Sequence, residues 1–420
     1  MKVAVIGGGA AGFFLALTVK AQRPEAEVTI LERGKRVLRK VAVSGGGRCN
    51  CTNTFEGVKD LQEVYPRGHR LMKRLMKGFS QRDAYDWFEH HGVRLTIQDD
   101  HCVFPVSQDS ATIINCFLAE ARKLGVRIQT ETAVRSMDGL KDYDCIAVTT
   151  GGATEESLAW LKALGHETMK PVPSLFTFET GDEALHALMG TVVEEAQVMI
   201  PGTKLRAEGA LLVTHWGMSG PAILRLSSYA ARHLAELNYK APLAVNWTGL
   251  HDNEALEALT EMTQKFPQKQ LLTIAPYGLT TRLWSYLAKR CLGQRAEGRW
   301  GSLNKKEMNR LANTLSGGDL YDIQGRAPFK EEFVTCGGIS LEGVNPTTLE
   351  SRHVPALYFA GELLDIDGVT GGFNFQAAWT TAYTAAQAII KIQSFPSEPS
   401  TFTILWMYIF FMFSRAGFRY

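Results

Sequence analysis

Residues 1–34 read MKVAVIGGGAAGFFLALTVKAQRPEAEVTILERG. Lys2-Val3-Ala4-Val5-Ile6 is an apolar run of strand length that breaks at Gly7-Gly8-Gly9-Ala10-Ala11-Gly12. The pattern predicts a helix from Ala10 to about Lys20, then a second strand, Val28-Thr29-Ile30-Leu31, ending in Glu32. Strand, glycine turn, helix, strand and acid in this order make the dinucleotide fingerprint. Gly7 allows the tight turn, Gly9 lets the backbone approach a pyrophosphate, and Gly12 lets helix and strand pack closely. Ala10 and Ala11 open the helix, whose free N–H groups and positive dipole end favour phosphate. Glu32, followed by Arg33, is placed to accept from ribose hydroxyls. An adenine dinucleotide is expected here.

The chain has 420 residues, enough for two or three domains with substantial cores. Lys+Arg 45 against Asp+Glu 43 is near balance, so the total charge points to no polyanionic partner, although a local basic patch stays open. The seven cysteines are scattered without CxxC or zinc spacing, which suits reduced thiols in a cytoplasmic protein and predicts no metal site. Met1 runs directly into the first core strand, so no signal peptide is expected.

Beyond Glu32 comes a basic stretch containing Arg39 and Lys40, then Ser44-Gly45-Gly46-Gly47-Arg48-Cys49-Asn50-Cys51-Thr52-Asn53. No regular element is expected across these glycines. Successive amides in such a loop form an anion-binding concavity, and Lys40 and Arg48 add positive charge. A phosphate- or flavin-facing loop is weighed here against a flexible surface loop. Cys49 and Cys51 would close a strained ring as a disulfide, so structural or flavin-contacting thiols are expected over a redox pair.

Together with Val103-Phe104-Pro105-Val106-Ser107, Thr214–Leu224 (THWGMSGPAIL) and Gly361–Ala378 (GELLDIDGVTGGFNFQAA), that segment resembles the YhiN-like flavoproteins, the BaiN-like, aminoacetone-oxidase-like FAD-dependent oxidoreductases. The resemblance covers about residues 1–392, with the motifs in the family's order. It implies FAD, with NAD(P)H as a transient reductant or oxygen as the other redox partner, and leaves the substrate open. It also places residues 103–107 near the flavin and makes the backbone of Val134 a reader of the adenine edge. Thr150-Gly151-Gly152, after the apolar run 143–149, resembles the second FAD motif, where the chain passes the ribose and pyrophosphate. Gly361-Glu362 resembles the acid pair that holds the ribityl chain, with Asp365 and Asp367 as rivals. Gly371-Gly372-Phe373-Asn374-Phe375 opens a helix to about Ile390, whose N-terminal dipole would stabilise negative charge on the flavin.

Residues 69–125 read as mostly helical, with Trp87 and Phe88 as core and His90-His91 as a helix end. A strand is expected over 125–130, continuing through 132–134. From 171 to 250 short β-like runs are separated by Gly/Pro turns, as in a small barrel. Within it, the segment from Thr214 to Pro221 reads as an irregular loop before a helix over 222–234. His215 there is the candidate catalytic proton donor or substrate anchor, against a structural histidine. Residues 251–315 read as a helical subdomain, and 316–329 as a return to the β-rich part. Arg282, Lys289, Arg290, Arg295 and Arg299 could face an anion, with a solvated helix face as the default. No second GxGxxG lies between 153 and 330, so a second nucleotide-binding domain is not expected. An apolar tail follows over 394–420, too short in its twelve-residue apolar run, 402–413, to span a bilayer.

The fold expected is α/β: a Rossmann-like, glutathione-reductase-type FAD-binding domain (1–170 and 330–393) with an inserted β-barrel-like domain and a helical subdomain. The function expected is FAD-dependent hydride transfer to or from a small organic substrate, with no nucleic-acid partner and no membrane anchor. Alkene reduction and amine oxidation both fit. An RNA-modifying flavoprotein and a flavin-binding protein without turnover are the alternatives.

Overall fold

Five short apolar runs pair into one parallel sheet in the order Leu357–Phe359, Cys145–Val148, Lys2–Ile6, Glu27–Leu31, Arg127–Gln129. The computed structural model describes residues 1–327 and 334–392. The three central strands are buried almost throughout, as a parallel sheet covered on both faces requires, so their sequences are continuously apolar rather than alternating. The helix Ala10–Gln22 is likewise buried over Ala11–Val19 and lies against the closing helix Phe373–Ile390. Phe14, Phe88 and Phe117 surround Trp379 of that helix at ring separations of 5.4 to 5.6 Å, tying together chain segments more than 250 residues apart.

Two compact units emerge, the first built from residues 1–171 and 334–392, the second from residues 172–327. The first also carries a small antiparallel sheet, Thr52–Asn53, Cys102–Pro105 and Leu95–Ile97, and the helices His69–Leu75, Gln81–His90 and Ala111–Leu124. Phe88 is fully buried and His91 caps the end of its helix, stacked on Trp87 at 4.0 Å.

The second unit is a closed barrel of six strands: Val192–Met199, Arg206–Val213, Gly217–Ser219, Phe178–Thr180, Ser316–Arg326 and Ala241–Asn246. Closure leaves no free sheet edge. The helices Asp252–Lys265, Thr281–Leu292 and Lys305–Leu315 pack onto it. They share one apolar core with the strands through Trp247, Trp284, Leu287, Trp300 and Leu311. Trp284 and Trp300 stack at 5.6 Å, and Trp284 Nε1 donates to Leu271 O at 2.7 Å.

Three local expectations need correction. The segment 132–134 does not continue the strand, which ends at Gln129, because Thr132 N turns back to Glu32 O. Residues 217–219 form a barrel strand, paired with Leu212 and Val213 on one side and Phe178 and Glu179 on the other, where an irregular loop was expected. The stretch before the glycine triplet is helical, Arg39–Gly47 with a break at Ser44. The apolar tail 394–420 lies outside the described residues.

Candidate functional site

The carboxyl ends of the parallel strands gather the motifs. Ile6 leads into Gly7, Leu31 into Glu32, Val148 into Thr149 and Phe359 into Ala360-Gly361-Glu362. Gly12 is where the fold is tightest. A Cβ on it would sit 2.0 Å from Gly7 O and 2.7 Å from Thr149 Oγ1. Thr149 Oγ1 donates to the carbonyls of Ile6 and Gly7, at 3.1 and 3.0 Å, so Thr149 closes the turn while Thr150 faces outward. Gly9 is the opposite case: nothing lies within 4 Å of a Cβ built there. Gly9 caps the helix Ala10–Gln22 without a side-chain cap, and the first turn carries no acid. The first-turn N–H groups therefore face open space, as a bound pyrophosphate needs.

Glu32 is pinned in place. Its two carboxylate oxygens accept from Gly8 N at 2.8 Å and Gly34 N at 2.7 Å, leaving further lone pairs for ribose hydroxyls. Arg33 is exposed beside it. Val134 lies in irregular backbone beyond the outermost strand, and neither its amide nor its carbonyl joins a backbone hydrogen bond among the described residues.

Residues 45–47 turn with φ of +56°, +67° and +82°, so three successive glycines adopt the left-handed region that side chains disfavour. Gly46 and Gly47 have no contact closer than 4.0 Å to a built Cβ, and this open run of amides fits an anionic group. Ser44 Oγ donates to Val41 O, and Arg48 lies over the Phe104 ring at 4.4 Å, fixing the loop from both sides. Cys49 and Cys51 are fully buried and unbridged. Burial, reinforced by Cys49, pushes the Cys51 thiol well up, so it stays protonated at neutral pH and is no redox nucleophile.

This loop is tied to the start of the closing helix. Asn50, with its amide turned to satisfy its neighbours, accepts from Gly372 N at 3.1 Å and donates to Thr52 O at 2.8 Å. Asn53 Nδ2 donates to Gly371 O at 3.0 Å, Thr52 Oγ1 to Gln376 Oε1 at 2.6 Å, and Trp379 Nε1 to Cys51 O at 2.8 Å. Asn374 binds the backbone of Gly368 through both ends of its amide, so its role is to shape the loop before the helix. Phe375 stacks on Trp379 at 5.5 Å.

Lys40 and Glu362 join across 322 residues: Lys40 Nζ donates to both carboxylate oxygens, at 3.0 and 2.9 Å. Thr335 N donates to the same carboxylate at 2.7 Å, and Gly151 and Gly152 lie alongside. Of the rival acids, Asp367 is taken out of contention: it is fully buried and paired with Arg67 through both oxygens. Asp365 is half-buried, its backbone N bound to Ile339 O at 2.9 Å. Thr149, Thr335, Thr52, Asn53 and Gln376 escaped the sequence reading, since their partners are distant in the chain. His215 belongs to the second unit, exposed on the tight turn between two barrel strands, its ring 4.8 Å from that of Trp216.

Open amides at Gly9 and at 45–47, a helix N-terminus free of acids and a carboxylate at ribose position fit an adenine dinucleotide with a second anionic cradle. They define a Rossmann-type flavoprotein with FAD as its cofactor, of the FAD-binding oxidoreductase class. The chain belongs to the HI0933-like family: the HI0933-like protein Rossmann domain matches residues 1–388. It is 29% identical over 417 residues to the ribosomal RNA dihydrouridine synthase of Escherichia coli (strain K12), covering 93% of this chain and 98% of that one. It is 26% identical over 412 residues to the 3-dehydro-bile acid delta(4,6)-reductase of Clostridium scindens, covering 92% and 98%. Among solved structures, the 3-ketosteroid delta1-dehydrogenase from Sterolibacterium denitrificans aligns with a TM-score of 0.48 at 11% identity, covering 92% of this chain and 99% of that one. Among the described residues, no helix is long and apolar enough to cross a membrane and no cluster suits a metal ion.

Proposed function

We propose that this chain reduces a carbon–carbon double bond conjugated to a carbonyl, with NAD(P)H as the source of electrons. The observation that carries the reading is a shared bond type. Dihydrouridine differs from uridine by two hydrogens across a double bond conjugated to a ring carbonyl, and a delta(4,6)-reductase of a 3-dehydro-bile acid acts on a conjugated 3-ketone. Two relatives of nearly equal similarity and different named substrates thus meet on one chemistry. Amine oxidation, the other reaction the sequence left open, has no comparable support among them.

Bound FAD supplies a two-electron donor and acceptor. The chain's residues hold and bias it. Gly9 and the first turn of the helix Ala10–Gln22 bind pyrophosphate, Glu32 binds the adenosine ribose, and the 45–47 amides with Arg48 bind anionic groups further along. Glu362, with Lys40 holding its carboxylate, would bind hydroxyls of the ribityl chain at the carboxyl ends of the strands. The N-terminus of the helix Phe373–Ile390 favours negative charge beside it. Saturating the bond also requires a proton at the carbon next to the carbonyl, and His215 is the residue we assign to deliver it.

The test is anaerobic. FAD-loaded protein is reduced with NADH or NADPH, then mixed with ribosomal RNA or a steroid dienone, and product is read by mass as a gain of two hydrogens. A flavin that stays reduced, with neither acceptor gaining two hydrogens, rejects the proposal. His215→Ala is expected to retain FAD while slowing saturation at least ~100-fold, the low end of what a general acid contributes; unchanged turnover removes His215 from the reaction.

A further inference from the structure

Along the barrel strands Val192–Met199, Ala241–Asn246 and Ser316–Arg326, alternate residues enter the core. Val198, Leu243, Val245, Tyr321 and Ile323 do so, and none is more than 2% exposed. The positions between them point outward, where polar side chains belong, and Gln197, Asn246, Asp322 and Gln324 obey that rule. Met199 and Leu320 break it. Both point outward, both are apolar, and they keep 41% and 47% of their surface in solvent.

The strand register sets these two residues in one row. Arg206 lies opposite Met199, Met199 opposite Ala244, and Ala244 opposite Leu320, so four adjacent strands present these side chains on the same outer face. Three strand spacings make the row about 14 Å long. Its relief is uneven, since Ala244 is a buried low point between two long side chains. Its charge is uneven as well. Arg206 closes one end; Asp322, two residues beyond Leu320 and opposite the exposed Pro242, closes the other. Both are exposed, and neither side chain has an ion-pair or hydrogen-bond partner among the described residues.

We propose that this row is a self-docking surface, on which a second copy of the chain lies face to face, turned about a two-fold axis parallel to the strands. Such an axis, running in the interface between Met199 and Ala244, reverses the order of the row in the other copy. Met199 of each copy then stands over Ala244 of the other and fills the notch between that copy's Met199 and Leu320. Arg206 of each copy stands over Leu320 of the other, and the Asp322 of that copy, about 7 Å further along the strand, is within the span of an arginine side chain. An apolar strip alone would accept many partners. A strip with a notch at its centre, a cation at one end and an anion at the other is complementary to itself reversed. The row by itself is too short to bury the ~1,200 Å² of a stable interface, so the dimer is a reversible one.

The experiment is sedimentation velocity of the full-length, FAD-loaded protein at concentrations from about 10 µM to about 1 mM. The wild type is expected to shift from monomer toward dimer across that range. By symmetry, Arg206→Asp or Asp322→Arg alone turns two attractions into two repulsions, so each variant should self-associate at least ~10-fold more weakly. An equimolar mixture of the two variants has opposite charges at both ends again and should dimerise like the wild type, a rescue that misfolding cannot imitate. Met199→Lys carries a charge into the notch and should weaken association by a similar factor. A wild type that is monomeric at the highest concentration overturns the inference. Association that either charge reversal leaves unchanged also overturns it and places the contact elsewhere, as in the apolar run 402–413. So does a mixture of the two variants that stays monomeric.

Discussion

Gly9 and Gly12 occupy one fingerprint yet face opposite constraints, and substitution separates them. At Gly12 a single added methyl meets Gly7 O at 2.0 Å and Thr149 Oγ1 at 2.7 Å, both parts of the turn that seats the pyrophosphate. Gly12→Ala should lower stability by about 1–3 kcal/mol through overpacking and strip the protein of FAD. At Gly9 the same methyl meets nothing in the protein. Gly9→Ala should leave the melting temperature of the FAD-free protein unchanged while weakening FAD retention, because the methyl occupies the space the phosphate needs. Flavin absorbance per mole after gel filtration, with melting curves of the stripped proteins, checks both; equal melting losses for the two variants would contradict the geometry. The spacing of these glycines was readable in the chain. Which of them abuts protein and which faces open space was not, since that depends on Thr149, far along the chain just past the end of a neighbouring strand.

The segment between the last sheet strand and the closing helix is held by elements distant in sequence. Val369 N donates to Val64 O at 2.9 Å, Tyr65 OH to Phe373 O at 2.8 Å, and Arg67 grips the buried Asp367. The acids at 362, 365 and 367 look alike as a sequence, and only the partners divide their roles: Lys40 and Thr335 for Glu362, Arg67 for Asp367. Removing one member of a buried pair leaves the other charge uncompensated. Asp367→Ala should therefore cost about 3–5 kcal/mol, and Arg67→Met with Asp367→Leu should restore most of it. Urea unfolding of the two single variants and the double variant tests this; an additive double variant would show that the pair is not coupled.

For the whole first unit, one buried histidine sets a pH limit. His166 Nε2 is 2.9 Å from Ser351 Oγ, with the His353 ring 4.9 Å away edge-on. Burial first, then the charge of His353, lowers its pKa from 6.5 to about 4. Between those values the unfolded chain binds the proton and the folded protein does not. Stability is thus fully present above pH 6.5 and falls as the pH drops toward 4, by up to about 1.4 kcal/mol per pH unit. Denaturant unfolding across that range should show the slope, and His166→Gln should flatten it; an unchanged slope in the variant would assign the acid sensitivity to other groups.

Local order along the chain was enough to specify the parallel α/β core, the dinucleotide turn and a β-rich insertion. Those features rest on periodicity, turn chemistry and helix dipoles acting over a few residues, and such forces are written in adjacent letters. Tertiary structure alone decided that the strand Gly217–Ser219 completes a closed barrel, that the helices of residues 252–315 share its core, and that the loop 45–53 is fastened to the closing helix. It also decided which acid Lys40 pairs with, and that Lys305, Lys306 and Arg310 line one hollow. The physical reason is the same each time. Hydrogen bonds, ion pairs and burial act through space, over distances of a few ångströms that can separate residues hundreds of positions apart.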